Sequence, residues 1–144
     1  MAAIVSIAGL LMMAGGCVGL LMHREMLSPA PLVVLLQVGA VALMVSARLA
    51  FGLRSFHAHA TPTRGGLVTK GPYSYIRHPI YTAACLFVWA CVIGHPSLFS
   101  LGMATVVTAG GVIRMLMEES LLRARYPEYA QYASRTKRMV PFVL

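Results

Sequence analysis

Charge is what this sequence has least of. Only 11% of its 144 residues are Asp, Glu, Lys or Arg, whereas 58% are hydrophobic. A soluble domain carries roughly 25% charged residues, so a water-facing surface is excluded for much of the chain and lipid is its expected solvent. Acidic residues are the scarcer sign, four against twelve basic ones, and the net charge is +8. In a soluble protein that excess points to nucleic acid. Here no aromatic residues interleave with the basic ones on a soluble face. Nucleic acid is therefore not an expected partner, and the charges read first as signals of membrane topology. Cysteine is sparse as well. Cys17, Cys85 and Cys91 lie inside apolar runs with no CxxC spacing, which argues against a zinc site and a disulfide framework. The first 22 residues lack a basic n-region and a small-residue cleavage site followed by polar sequence, so they are expected to form a retained helix rather than a signal peptide. The carboxyl terminus carries no lipidation box.

What is present is a set of four apolar segments. The first runs from about Ala2 to Met22 without a charge, and a helix of that length rises about 30 Å, the thickness of the hydrocarbon core. A short polar turn containing His23, Arg24, Glu25, Pro29 and Pro31 follows. The second segment runs from Leu32 to about Phe51, with Arg48 in its last turn. The third begins near Tyr81 and stops at Gly94, and the fourth runs from about Leu98 to Met117 with Arg114 in its last turn. The third is short, rising only about 20 Å as a straight helix. Gly94-His95-Pro96-Ser97 breaks the chain, with Ser97 placed to cap the next helix. Segments three and four therefore read as a tight hairpin.

Basic residues orient these segments. Arg54, Arg64, Lys70 and Arg77 lie between segments two and three, and Arg123, Arg125, Arg135, Lys137 and Arg138 lie after segment four. The other two connections hold little net charge. The positive-inside rule places both basic regions and both termini in the cytoplasm. The expected fold class is all-α, an integral membrane bundle of about four transmembrane helices, multi-pass in a bacterial inner membrane. Small residues in segment one (Gly15, Gly16, Gly19), if exposed, could support pairing of copies. The ten methionines are expected to fill the spans.

Two regions are neither spans nor simple turns. The linker from Arg54 to Ile80 holds Pro62, Gly65, Gly66, Gly71, Pro72 and Pro79, too many breakers for one helix. Its apolar and aromatic content, with Phe56, Leu67, Val68, Tyr73, Tyr75 and Ile76, argues against disorder, and a loop of this length in a small protein points to function. The tail from Glu118 to Leu144 begins as an amphipathic continuation of segment four, and Pro141 ends regular structure. Domain organisation follows: one domain, with residues 1–53 as an amino-terminal helical hairpin and 54–144 as the core that carries the chemistry.

Arg114 and Glu118 are four apart and share a helix face where a span meets the interface. An ionisable residue at the bilayer centre costs roughly 2.5–3.5 kcal/mol on insertion scales, less near a helix end where Arg can snorkel. An interfacial Arg with its i,i+4 partner is the simplest explanation of that pair. Glu119 weakens it, because adjacent carboxylates point about 100° apart on a helix and one Arg does not easily meet both. Arg77-His78-Pro79-Ile80-Tyr81 opens segment three. Pro79 suits a first helical turn and sets His78 near the N-cap, beside unpaired backbone N–H groups. An aromatic belt at headgroup level is the plain alternative for Tyr73, Tyr75 and Tyr81. His57 and His59, two apart on a probable loop, have too few companions for a metal site, and no metal is expected.

Taken in order, these pieces form a pattern: Leu67-Val68-Thr69-Lys70-Gly71-Pro72-Tyr73, Arg77-His78-Pro79-x-Tyr81, a hairpin, Glu118-Glu119-x-x-Leu122, Tyr126-x-Glu128-Tyr129-x-x-Tyr132, and Arg138-x-x-Pro141. The pattern resembles the isoprenylcysteine carboxyl methyltransferases and the related phospholipid methyltransferases over about residues 65–142. The resemblance implies S-adenosylmethionine as cofactor, held on the cytoplasmic side. Leu67, Val68 and Tyr73 would line its adenosine end, His78, Pro79, Ile80 and Tyr81 would form a wall, and Glu118 would bind it. Arg114 would meet a lipophilic substrate, with Arg114 and His78 as the catalytic candidates and Arg138 placed to close over the cofactor. Ala83 stands where the family often has Gly. A carboxylate acceptor needs no base, only a cation such as Arg114. An amine or thiol needs one, with His78, His57 or His59 as candidates. The alternatives are a phospholipid N-methyltransferase, an NADPH-dependent sterol-reductase-like enzyme, for which Arg64, Lys70 or Arg138 could meet a 2′-phosphate, and a non-catalytic membrane lipid-binding protein.

Overall fold

The computed structural model describes residues 2–52 and 66–140. Five α-helices are present among them: α1 (Ala2–Met22), α2 (Pro31–Phe51), α3 (Pro79–Gly94), α4 (Leu98–Arg125) and α5 (Tyr129–Arg135). A 3-10 turn (Gly71–Ser74) lies between α2 and α3. Among the described residues the nearest approach to a sheet is one parallel bridge, Ile76 to Lys137. The expected all-helical membrane class is what the chain adopts.

Local chemistry sets the helix ends. Pro31 and Pro79 open α2 and α3, where a missing N–H costs nothing and the fixed φ is already helical. Gly52, at φ 68°, closes α2 by donating its N–H to the Arg48 carbonyl, a conformation that suits a residue without a Cβ. Ser97 and Ser100 form a reciprocal capping box at the start of α4, with N···O distances of 2.9 and 3.2 Å. Pro127, after Tyr126, separates α4 from α5.

The helices α1, α2 and α4 are each long and apolar enough to cross a membrane. With 16 residues, α3 rises about 24 Å and stops short of the roughly 30 Å core. With 28 residues, α4 rises about 42 Å and carries its last turns beyond it. The chain is an integral membrane protein. The amphipathic continuation expected after Met117 is the last part of α4, and it ends at Arg125.

The main packing runs α1 on α4, α4 on α3 and α3 on α2. Leu20, Val88, Cys91, Ala104 and Val107 form the buried centre, with Met13, Cys17 and Met103 packed around it. The α1 and α4 backbones touch at Gly9 and Gly110. A Cβ on Gly110 would lie 2.5 Å from the Gly9 carbonyl, and one on Gly9 2.8 Å from the Gly110 carbonyl. This closeness corrects the expected exposed face at Gly15, Gly16 and Gly19. Gly16 and Gly19 face α4, where added Cβ atoms would meet Val107 Cγ2 at 2.5 Å and Met103 Sδ at 2.8 Å. Gly15 alone of the three has open space.

The α1–α2 and α3–α4 connections gather at one end of the bundle. Ser97 Oγ donates to Glu25 at 3.1 Å, the His95 ring nitrogen lies 2.8 Å from the Leu27 carbonyl, and His23 stacks on Phe99 at 3.8 Å. The opposite end joins the 3-10 turn, the start of α3, the end of α4 and α5. The residues expected to carry chemistry collect there.

Candidate active site

The site is assembled by fastening the tail to the start of α3. Gly71, at φ 61°, and Pro72 turn the chain into the 3-10 segment. Tyr73 is buried there against Phe51, with ring centroids 5.7 Å apart, and its carbonyl accepts the Tyr132 hydroxyl at 2.7 Å. The next residues run extended beside the tail. Arg77 N–H donates to the Lys137 carbonyl at 2.7 Å, His78 N–H to that of Arg138 at 3.0 Å, and Lys137 N–H to that of Tyr75 at 3.1 Å. Thr82 Oγ1 adds a bond to the Met139 carbonyl at 2.8 Å.

The two glutamates at the end of α4 face different surroundings. The Glu119 side chain is 5% exposed. Arg77 Nε lies 3.0 Å from it, Arg138 Nε 3.3 Å and His78 Nε2 3.4 Å. Arg77 also donates through Nη1 to the Ala133 carbonyl at 2.8 Å and to that of Thr136. One guanidinium thus joins α4, α5 and the tail, and Glu119 is fully engaged as the centre of that joint.

Glu118 is 27% exposed. Its Oε1 accepts the Tyr81 hydroxyl and lies 3.6 Å from Arg114 Nη2, and its Oε2 lies 3.8 Å from His78 Nδ1. Arg114 is 7% exposed. It donates through Nε to Tyr81 Oη at 3.1 Å and through Nη1 to the Ser6 carbonyl of α1 at 3.1 Å. His78 lies between the two carboxylates and stacks on Tyr81 at 5.8 Å. The arrangement holds one carboxylate rigidly at an accessible edge while cations neutralise its buried neighbour.

Burial raises Tyr73, Tyr129 and Tyr132. Tyr129 is pushed up to about 12 by burial and then by the Glu119 charge. Tyr132 is pushed up to about 12 by burial and then by its proximity to Tyr129. Burial and then Glu118 hold Tyr73 higher still. All three hydroxyls are neutral at ordinary pH.

Of the residues singled out from sequence, His78, Tyr81, Arg114 and Glu118 come together in one cluster. Tyr73 lies close enough to feel the Glu118 charge. Pro79 is buried and Ile80 half-buried on the first turn of α3, and Leu67 and Val68 are half-buried in the extended run before the 3-10 turn. Arg54, His57, His59, Arg64 and Pro141 lie outside the described residues. Arg138, read as a residue that closes over a cofactor, pairs with Glu119. Among the described residues no group of three or more His, Cys, Asp or Glu could hold a metal ion. Sequence reasoning did not single out Ser6, and it quoted Arg77 in the motif without giving it a role beyond that of an orienting charge. The position of Arg77 beside His78 in the motif was the available signal.

The motif-bearing elements that build this cluster are also where the chain is similar to known proteins. The model of the family described as phospholipid methyltransferase matches residues 30–129. This chain belongs to the phospholipid methyltransferase family. Over 78 residues it is 37% identical to the cobalt-zinc-cadmium resistance protein CzcN of Cupriavidus metallidurans, covering 52% of this chain and 35% of that protein. Over 82 residues it is 38% identical to the nickel-cobalt-cadmium resistance protein NccN of Alcaligenes xylosoxydans xylosoxydans, covering 52% of this chain and 36% of that one. The alignments thus span about a third of the length of these curated relatives. No solved structure matches the chain. The family match takes in α2, α3, α4 and the whole His78–Tyr81–Arg114–Glu118 cluster, whereas α1 lies outside it.

Proposed function

We propose that this chain is an S-adenosylmethionine-dependent methyltransferase that modifies the carboxylate of a lipid-like acceptor at the cytoplasmic face of a bacterial inner membrane. The observation that carries this reading is the unequal pair at the end of α4, with Glu119 neutralised by Arg77 and Arg138 and Glu118 left partly exposed beside Tyr81. The donor set fits the cofactor: a fixed carboxylate suits an α-ammonium group, and aromatic faces suit a sulfonium cation. Bound S-adenosylmethionine supplies an activated methyl group.

The protein's own part is to bind and to align. Glu118 binds the ammonium group, with Tyr81 and Arg114 fixing its rotamer. Leu67, Val68 and Tyr73 line the adenosine end, and His78, Pro79 and Ile80 form the wall. Arg114, one turn before Glu118 on α4, supplies the positive charge that orients the acceptor head. Most of the acceleration then comes from holding two reactants in line. Because His78 has a carboxylate near each ring nitrogen, it serves best as a positioning group, and a pre-ionised acceptor that needs no base suits the site. Family membership supports methyl transfer over the NADPH-dependent and non-catalytic alternatives. Phospholipid N-methylation is the second reading, favoured by the description of the family itself.

Detergent-purified protein given methyl-labelled S-adenosylmethionine should label N-acetyl-S-farnesylcysteine as a base-labile ester. Label appearing in phosphatidylethanolamine instead moves the acceptor to an amine, and label in neither acceptor contradicts the reading.

A further inference from the structure

The helix that lies outside the family match nevertheless reaches the centre of the cluster. Ser6 sits on the α1 face that packs on α4, one turn before the Gly9–Gly110 contact. Its carbonyl accepts Arg114 Nη1–H at 3.1 Å. The residue is 1% exposed, and its Oγ has no hydrogen-bond partner.

That orphan hydroxyl is out of keeping with the rest of the chain. Helical serines and threonines here fold back onto carbonyls of the preceding turn: Ser46 onto Leu43 at 2.9 Å, Thr105 onto Leu101 at 2.8 Å, Thr108 onto Ala104 at 2.8 Å and Ser120 onto Met117 at 2.8 Å. The same local bond is open to Ser6, yet its hydroxyl does not make it. A buried hydroxyl with no partner destabilises the fold, more so in a bundle whose solvent is lipid. The backbone around it is fixed on two sides, by Arg114 and by the Gly9–Gly110 contact, so the residue is held in place with its donor unused.

We infer that Ser6 is a further acceptor-binding residue, whose hydroxyl donates to a carboxylate oxygen of the lipid head that Arg114 orients. In this arrangement α1 completes the acceptor side of the site, and the motif-bearing helices supply the cofactor side. The inference rests on the methyltransferase reading above and names a residue for its substrate.

Ser6→Ala removes one oxygen and leaves the packing almost unchanged. With N-acetyl-S-farnesylcysteine as acceptor, S6A should raise KM about tenfold, the scale of one lost hydrogen bond to a charged group, with kcat within about twofold. Calorimetric binding of the same compound should weaken by the same factor. Binding of its methyl ester, which has no carboxylate, should be equal in wild type and S6A. The unfolding midpoint of S6A should equal or exceed that of wild type, because an unsatisfied group has been removed. Ser46→Ala, at an exposed residue of α2 with its own local bond, should match wild type throughout. Wild-type KM and wild-type binding in S6A would overturn the inference while leaving the methyltransferase reading intact. So would a lowered midpoint with unchanged KM, which assigns the hydroxyl a structural role. A wild-type protein that neither methylates nor binds the carboxylate overturns both.

Discussion

Glu118 and Glu119 are adjacent and chemically identical, and their neighbours give them different work. Glu119 points to the tail, where the Arg77 guanidinium, 9% exposed, meets it at 3.0 Å. Removing one member of a buried, hydrogen-bonded ion pair leaves the other charge uncompensated, at a cost of about 3–5 kcal/mol. Glu119→Ala should therefore lower the unfolding midpoint in detergent, and more than Glu118→Ala, whose carboxylate is already 27% exposed. Equal midpoints for the two variants would remove the distinction. Sequence alone named His78, Tyr81 and Glu118 through RHPxY and EExxL in this order, and Arg114 through its i,i+4 spacing to Glu118. The division of labour between the glutamates was not legible there, since a residue's i,i+1 neighbour differs only in which partners fold against it. Arg77 stood in the RHPxY motif, but its role as the partner of Glu119 was hidden for the same reason.

The elements are held by contacts of two kinds. Between α1 and α4 the contact is backbone on backbone, and a methyl group at Gly110 would sit 2.5 Å from a carbonyl oxygen of α1. Gly110→Ala should force the helices apart and cost about 1–3 kcal/mol, the scale of overpacking. Gly15→Ala, with open space around it, should be neutral or slightly stabilising, and thermal unfolding of the two variants measures the difference. Between the tail and the start of α3 the contact is polar and includes one buried tyrosine, Tyr129, and one half-buried, Tyr132. Tyr129 and Tyr132 stand at about 12 against the ordinary 10.0. A raised phenol contributes stability that is whole below pH about 10 and is lost as pH climbs through about 12, because the unfolded form ionises first. Hydrogen exchange over residues 126–140 should accelerate in that window before the spans respond. Unchanged protection up to pH 12 would contradict the burial of these hydroxyls.

Sequence was a good guide to elements and a poorer one to faces. Hydropathy and breakers located the helix ends to within about two residues, except that α4 runs on from Met117 to Arg125 as the amphipathic continuation expected there, and the shortness of α3 was visible from Gly94-His95-Pro96. The glycines of α1 were legible as small residues that allow close approach. Their partner was not, because Gly16 and Gly19 face α4 of the same chain and periodicity cannot tell a neighbour within the chain from one outside it.

On the scale of the whole molecule, the two short turns gather at one end and the cluster with the tail at the other, which is the segregation that the distribution of basic residues requires. Single cysteines at Pro96 and Ser134, in a background with Cys17, Cys85 and Cys91 replaced, test the orientation. An impermeant maleimide on intact cells should label Pro96→Cys and spare Ser134→Cys until the membrane is opened, and the reverse pattern would invert the topology. We propose that this end of the bundle holds S-adenosylmethionine through Glu118. Calorimetry of detergent-purified protein is the test: wild type should bind S-adenosylmethionine saturably and not NADPH, and Glu118→Ala should lose that binding at a temperature where its own unfolding curve shows it folded. Equal affinity in Glu118→Ala would remove Glu118 from the cofactor site, and saturable binding of NADPH in place of S-adenosylmethionine would overturn the methyltransferase reading.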